Sequence, residues 1–144
     1  MEYIDICDKI WLFSKYYGDM VATAIRLKEN DESYASLMIL FNSMELIFKA
    51  IRGNDSHNFN EDVEWLFKKG LLSKQEFDFI ESENNGIRSL RNKMTHKDFY
   101  KYGIEKDDIL YSFADKETWD VMCDYLFKPS ITIIYNAISR IDNE

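Results

Sequence analysis

The residue types able to do chemistry concentrate in Arg88-Ser89-Leu90-Arg91-Asn92-Lys93-Met94-Thr95-His96-Lys97-Asp98. Wound as a helix at roughly 100° per residue, this stretch puts Ile87, Leu90 and Met94 on one narrow apolar stripe. Arg91, Thr95, Arg88, Asn92 and His96 follow, in that angular order, on one polar arc that starts beside the stripe and ends opposite it. Lys93 and Lys97 fall on the other flank. Two guanidinium groups, an amide, a hydroxyl and an imidazole facing one groove suit a phosphodiester. Guanidinium groups hold phosphate oxygens bidentately and stabilise charge as it builds. Imidazole is the side chain best able to move protons near neutral pH. Asn92 lies four residues before His96, so on a helix its amide reaches a ring nitrogen and fixes the tautomer. The plain alternative is an amphipathic helix with a solvated polar face.

Local charge favours an anion site. Arg88 to Lys106 holds six basic residues against two acids, a net of +4, so the rest of the chain carries −12. A concentration of cations around the one helical histidine is what an anion-binding surface needs. No histidine pair stands at ligand spacing and no Cys-x-x-Cys occurs, so the sequence points to no metal and no cofactor. Other reactive groups read as structural. His57 falls in a polar loop. Cys7 and Cys123 sit on apolar stripes, where a thiol is inert. Glu45 could reach a cleft, but Lys49 follows it at the favourable i,i+4 spacing and explains it locally. The many aromatic residues could stack bases, but at helical spacing they read as core.

The elements that position these groups follow from periodicity. Residues 3–28 read as one long helix, with Gly18 as its bend or weak point, ended by Asn30 and Asp31. Residues 33–52 read as a second, very apolar helix capped by Ser33 or Asp31, with Gly53 as its stop. A polar loop over 53–60 precedes a short helix over Glu61–Lys69. Ser73 caps a helix running through Phe77 and Ile80, and the pattern stutters at Asn84-Asn85-Gly86 before the motif helix. Residues 98–114 read as a loop with at most short structure, and Lys116–Ile141 as a last helix that Pro129 should kink or split. The fold expected is all-α, with no sheet: a helical bundle with a four-helix up-and-down core plus a short extra helix, forming one domain over residues 1–144.

Composition excludes other classes. One proline and five glycines in 144 residues leave too few turns for a β-sandwich. At 46% hydrophobic residues the chain can bury a core without disulfides. A net charge of −8 excludes a generally basic nucleic-acid coat protein, though not a basic patch. Asn42, Ser43, Glu45 and Lys49 interrupt the most apolar stretch, Tyr34 to Ile51, so it reads as a buried helix and not a membrane span. Two apolar cysteines and an N-terminus without a basic region point to a reducing, cytoplasmic setting.

Arg91-Asn92-Lys93-Met94-Thr95-His96 resembles the Arg-Asn-x-x-x-His form of the Arg-x(4–6)-His motif of the HEPN superfamily. Met44-Glu45-Leu46-Ile47-Phe48-Lys49-Ala50 resembles the Glu-x-x-x-Lys-Ala helix common in those domains. The order of elements fits as well, so the resemblance covers most of the chain by pattern and about six positions by motif. It implies a metal-independent endoribonuclease of a toxin–antitoxin or anti-phage defence type. Arg91 and His96 would be catalytic at a composite homodimer site, Asn92 supporting, and Arg88 and Thr95 on the RNA phosphate. An antitoxin or immunity partner is implied too. Related toxins often carry tyrosine two residues after the motif histidine; here Asp98 stands there, and the nearest tyrosine is Tyr100. The resemblance also admits a non-catalytic dimerisation module that binds a nucleotide, RNA or partner protein.

Overall fold

The computed structural model describes residues 1–142, and their architecture is an all-α helical bundle with one small β-hairpin. In chain order come α1 (Tyr3–Phe13), α2 (Lys15–Glu29), α3 (Ser33–Arg52), α4 (Phe59–Lys68), α5 (Lys74–Glu81) and α6 (Ile87–Met94). A 3-10 turn (Phe99–Lys101), β1 (Gly103–Lys106), β2 (Ile109–Ser112) and α7 (Lys116–Ile141) follow. α1, α2, α3 and α7 pack on one another, α4 covers α3, α5 packs on α4, and α6 packs on α5. The motif helix therefore lies in a layer of short helices beside the four, not among them.

The first expected helix is two. Ser14 is extended at φ −156°, ψ 118°; its N–H closes α1 on the Ile10 carbonyl, and its Oγ accepts the Tyr17 N–H to open α2. One serine thus satisfies orphan groups of two helix ends. Gly18 is not the bend but its enabling contact: a Cβ there would lie 2.6 Å from the Trp11 Cα. α2 ends as Asn30 and Asp31 suggest. Asp31 is left-handed at φ 60°, Glu32 N–H reaches the Leu27 carbonyl, and Asp31 N–H reaches that of Lys28, a Schellman closure. The N-cap of α3 is Glu32; Ser33 lies inside the helix, and its hydroxyl donates to Asp120 on α7 at 2.6 Å.

Two further expectations are corrected. A small sheet is present where none was expected: within the 98–114 loop, β1 and β2 pair antiparallel, with Lys106 opposite Ile109. Asp107 and Asp108 both take positive φ (54° and 64°), the backbone of a two-residue hairpin turn, which aspartate tolerates. Pro129 does not split the last helix, which is continuous from Lys116 to Ile141. Buried residues on both sides of it, Leu126, Phe127, Ile131, Ile133 and Ile134, hold it in place.

Among the described residues α3 has the length and apolarity to cross a membrane, yet it packs against α2, α4 and α7 inside the bundle. The short-helix layer is fastened by charge. Asp62 of α4 is fully buried and accepts from Lys49 (2.9 Å) and Arg52 (3.3 Å) of α3. Glu76 completes the capping box of α5 with Ser73 and pairs with Arg140 of α7. Burial pushes the Glu76 carboxyl up; hydrogen bonds from Arg140, the Ser73 N–H and Asn136 outweigh it and hold it below the usual range.

Gly18→Ala should lose about 1–3 kcal/mol in urea unfolding, because overpacking against backbone exceeds the roughly 1 kcal/mol helix-propensity gain. Glu76, with its pKa lowered by folding, contributes stability above about pH 4.3 that is lost as pH falls through the lowered value. The urea midpoint should therefore drop less between pH 7 and pH 3 in Glu76→Gln than in wild type.

Candidate functional site

The motif helix starts where it does because of Gly86. A Cβ there would sit 2.2 Å from the Ser82 carbonyl oxygen, so only glycine lets the chain turn this tightly from α5 into α6. Asn85, at φ 63°, donates its amide to the Glu105 carbonyl at 3.0 Å and ties the turn to the hairpin. Ile87, Leu90 and Met94 are buried, as their spacing requires.

The helix stops two residues short of the end of the polar arc. α6 ends at Met94, Thr95 is its C-cap, and the His96 N–H bonds the Lys93 carbonyl at 3.2 Å as the chain turns away. Phe99 draws it off the helical path. Its ring stacks on Tyr34 of α3 at 5.9 Å and meets Trp119 of α7 edge-on at 6.1 Å. Burying that ring competes with continuing an exposed polar helix. The arc therefore holds for Arg88, Arg91 and Asn92, whereas Thr95 and His96 lie beyond it.

Two hollows divide the expected site residues. Arg88, Asn92 and His96 share one of about 320 Å³ with Lys93, Ser89, Glu81 and Glu83. Arg91 and Thr95 share another of about 360 Å³ with Met38, Ile39, Phe41, Asn42, Glu45 and Met94. Within this chain Arg91 and His96 do not line one hollow. Lys93, which the helical wheel places outside the groove, lies beside His96, because the chain turns back over that flank after Met94. His96 also adjoins Tyr102 and Gly103.

The charges are arranged unequally. The Arg91 guanidinium is held by Glu45 of α3 and lies 5.4 Å over the Phe59 ring. Arg88 is held by Glu81. The Thr95 hydroxyl donates to the Asn92 carbonyl at 2.7 Å, which commits the proton that a phosphate contact would need. Among the described residues the Asn92 amide and the His96 ring make no hydrogen bond, so the expected Asn92–His96 contact is not formed. Its i,i+4 geometry is lost when α6 ends.

Glu45 is the residue of the candidate site that local reasoning set aside. Its expected partner Lys49 instead turns to Asp62 and to the His57 carbonyl, which leaves Glu45 for Arg91. The signal was present in Glu45 as the one carboxylate on α3. The His57 ring is engaged by Glu61. Burial raises both thiols, aided at Cys7 by the Asp8 carboxylate, so neither is poised as a nucleophile. Among the described residues no group of three or more His, Cys, Asp or Glu is placed to hold a metal ion.

The chain matches no family model, no curated protein and no solved structure. The fold is a helical bundle whose layer of short helices presents an imidazole, unpaired among the described residues, in the same hollow as the Arg88 guanidinium.

The Glu45–Arg91 pair joins α3 to α6 from half-buried positions, where screening is incomplete. A double-mutant cycle with Glu45→Ala and Arg91→Ala in urea unfolding should give a favourable coupling of about 1 kcal/mol.

Proposed function

We propose that this protein is a HEPN-type, metal-independent endoribonuclease of the toxin–antitoxin or anti-phage defence kind, acting as a homodimer. The observation that carries this reading is the end of α6. His96 is exposed with no hydrogen-bonding partner among the described residues, and Asn92, Lys93 and Arg88 line the same hollow. An imidazole free of structural duty is available for proton transfer. Arg91, one hollow away, is pre-oriented by Glu45, as a guanidinium meant for a phosphate must be.

The chemistry follows from these groups. His96 of one protomer takes the proton from a ribose 2′-hydroxyl as its oxygen attacks the adjacent phosphorus. The bond from phosphorus to the 5′-oxygen breaks, and His96 of the other protomer protonates that leaving oxygen. Arg91 holds the non-bridging oxygens as charge grows, with Arg88 on the neighbouring phosphate. Asn92 positions the imidazole once RNA closes the site. Two proton-transfer groups are needed and each chain supplies one, so a symmetric dimer completes the site and unites the two hollows across its axis. The products are a 2′,3′-cyclic phosphate and a 5′-hydroxyl, and DNA is left intact. Such an activity would be held in check by an antitoxin or immunity partner in the cytoplasm.

A second reading is a non-catalytic module that dimerises and binds a nucleotide, RNA or a protein. The carboxylates on Arg88 and Arg91 favour it, because each cancels a cation that catalysis would use.

The test is incubation of purified protein with mixed RNA in EDTA. Wild type should cleave, and His96→Ala should be slower by about 10² to 10⁴. Arg91→Lys should also be slow, since an ammonium cannot replace a bidentate fork. Equal rates for wild type and His96→Ala, or no cleavage in EDTA, would refute the mechanism. Absence of cleavage under all conditions would leave the binding module as the function.

A further inference from the structure

The hollow between α3 and α6 has a composition that phosphate binding does not explain. Met38, Ile39, Phe41 and Met94 give it apolar walls, and Met38 is 43% exposed at its mouth. At about 360 Å³ it falls within the size range of small-ligand sites. Its polar groups are few. Asn42 and Glu45, three residues apart, share a face of α3, and Thr95 stands opposite them at the end of α6.

The hydrogen-bonding capacity of these groups can be counted. One carboxylate oxygen of Glu45 is used by Arg91; the other accepts nothing among the described residues. The Thr95 hydroxyl has given its proton to the Asn92 carbonyl and so offers lone pairs alone. The Asn42 amide is exposed and unpartnered among the described residues, and supplies one acceptor and one donor group. The hollow is therefore rich in acceptors and has a single uncommitted neutral donor group. Arg91 at its rim is the cation a phosphate would meet.

We infer that this hollow binds a guanine base, an assignment that builds on the ribonuclease reading by naming the base next to the phosphate at Arg91. Guanine presents two adjacent donors, N1–H and the N2 amino group, beside one acceptor, O6. Glu45 and Thr95 take the donors, and the Asn42 amide nitrogen donates to O6. Adenine, cytosine and uracil each bring a single donor group on that edge, which leaves an acceptor of the hollow unmatched. The flat faces of the base lie against Phe41 and against Met38 and Met94, whose flexible thioethers adapt to an aromatic ring.

The test is calorimetric titration of the full-length protein with GMP, AMP, CMP and UMP, which needs no catalysis. GMP should bind at least tenfold tighter than the other three. Asn42→Leu and Thr95→Val, both at exposed positions, should each weaken GMP by about tenfold, the scale of one lost hydrogen bond, and leave AMP unchanged. Equal affinity for all four nucleotides, no GMP binding, or GMP binding unaltered in both variants would overturn the assignment. Cuts in RNA clustered beside guanosine would place the base in the substrate. GMP selectivity together with cuts of no base preference would support a free guanine nucleotide as the occupant. GMP selectivity with no cleavage at all would uphold this site while the ribonuclease reading fell.

Discussion

The structure is organised by the need to cover α3. Leu37, Leu40, Met44, Ile47 and Phe48 are fully buried on it, and its apolar face is too wide for one neighbour to hide. At about 25 cal/mol per Å² of apolar surface, covering such a helix dominates the folding of a chain this size. α2 and α7 take most of that face, and α4 closes part of the rest. The polar residues of α3 then become its fasteners. Ser36 donates to the Ala24 carbonyl on α2, Ser33 to Asp120 on α7, Lys49 to Asp62 on α4, and Glu45 receives Arg91 from α6. Four polar side chains of the helix thus fix four different neighbours in register.

The candidate site inherits its geometry from this arrangement. α6 has few direct contacts with the core group and is placed by three ties: its own apolar stripe, the Arg91–Glu45 pair, and the Phe99 ring lodged between Tyr34 and Trp119. The first two hold the helix. The third ends it and lifts His96 out as an exposed turn residue. The same compact turn therefore separates Arg91 from His96 within one chain and leaves the imidazole without a hydrogen-bonding partner among the described residues. A site divided in this way would gain most from a second copy, which is the physical ground for the composite arrangement proposed above.

Electrostatics sharpen the contrast between structural and available charge. Asp62, fully buried, is matched by two cations, since an uncompensated charge there would be costly. Arg88 and Arg91 each face one carboxylate and remain half-buried, which orients them without sealing them from solvent. The net charge of the segment from Arg88 to Lys106 overstates the positive potential near His96, because Glu81 and Glu83 come from the preceding turn to line the same hollow.

Much of the architecture was legible in the sequence because it rests on local patterns. The 3.6-residue period of α3 and α7, the Ser73–Glu76 capping box, the helix ends at Asn30–Asp31 and Gly53, and the Ile87–Leu90–Met94 stripe depend on near neighbours alone. The break at Ser14 and the hairpin at Asp107–Asp108 were local as well, but their signals are weak: one hydroxyl, and two aspartates accepting positive φ. What periodicity could not decide was which of two possible partners a charge would take and where α6 would stop. Lys49 lies four residues from Glu45, yet a fully buried Asp62 from another helix outbids it, because an unpaired buried carboxylate costs far more than an exposed i,i+4 pair returns. Helical phase alone would have kept His96 on α6; burial of Phe99 against rings from α3 and α7 ended the helix first. The sequence by itself determined the elements and the inventory of chemical groups. Only the tertiary structure decided which of those groups were consumed in holding the fold and which were left free, because that division depends on desolvation and on partners distant along the chain.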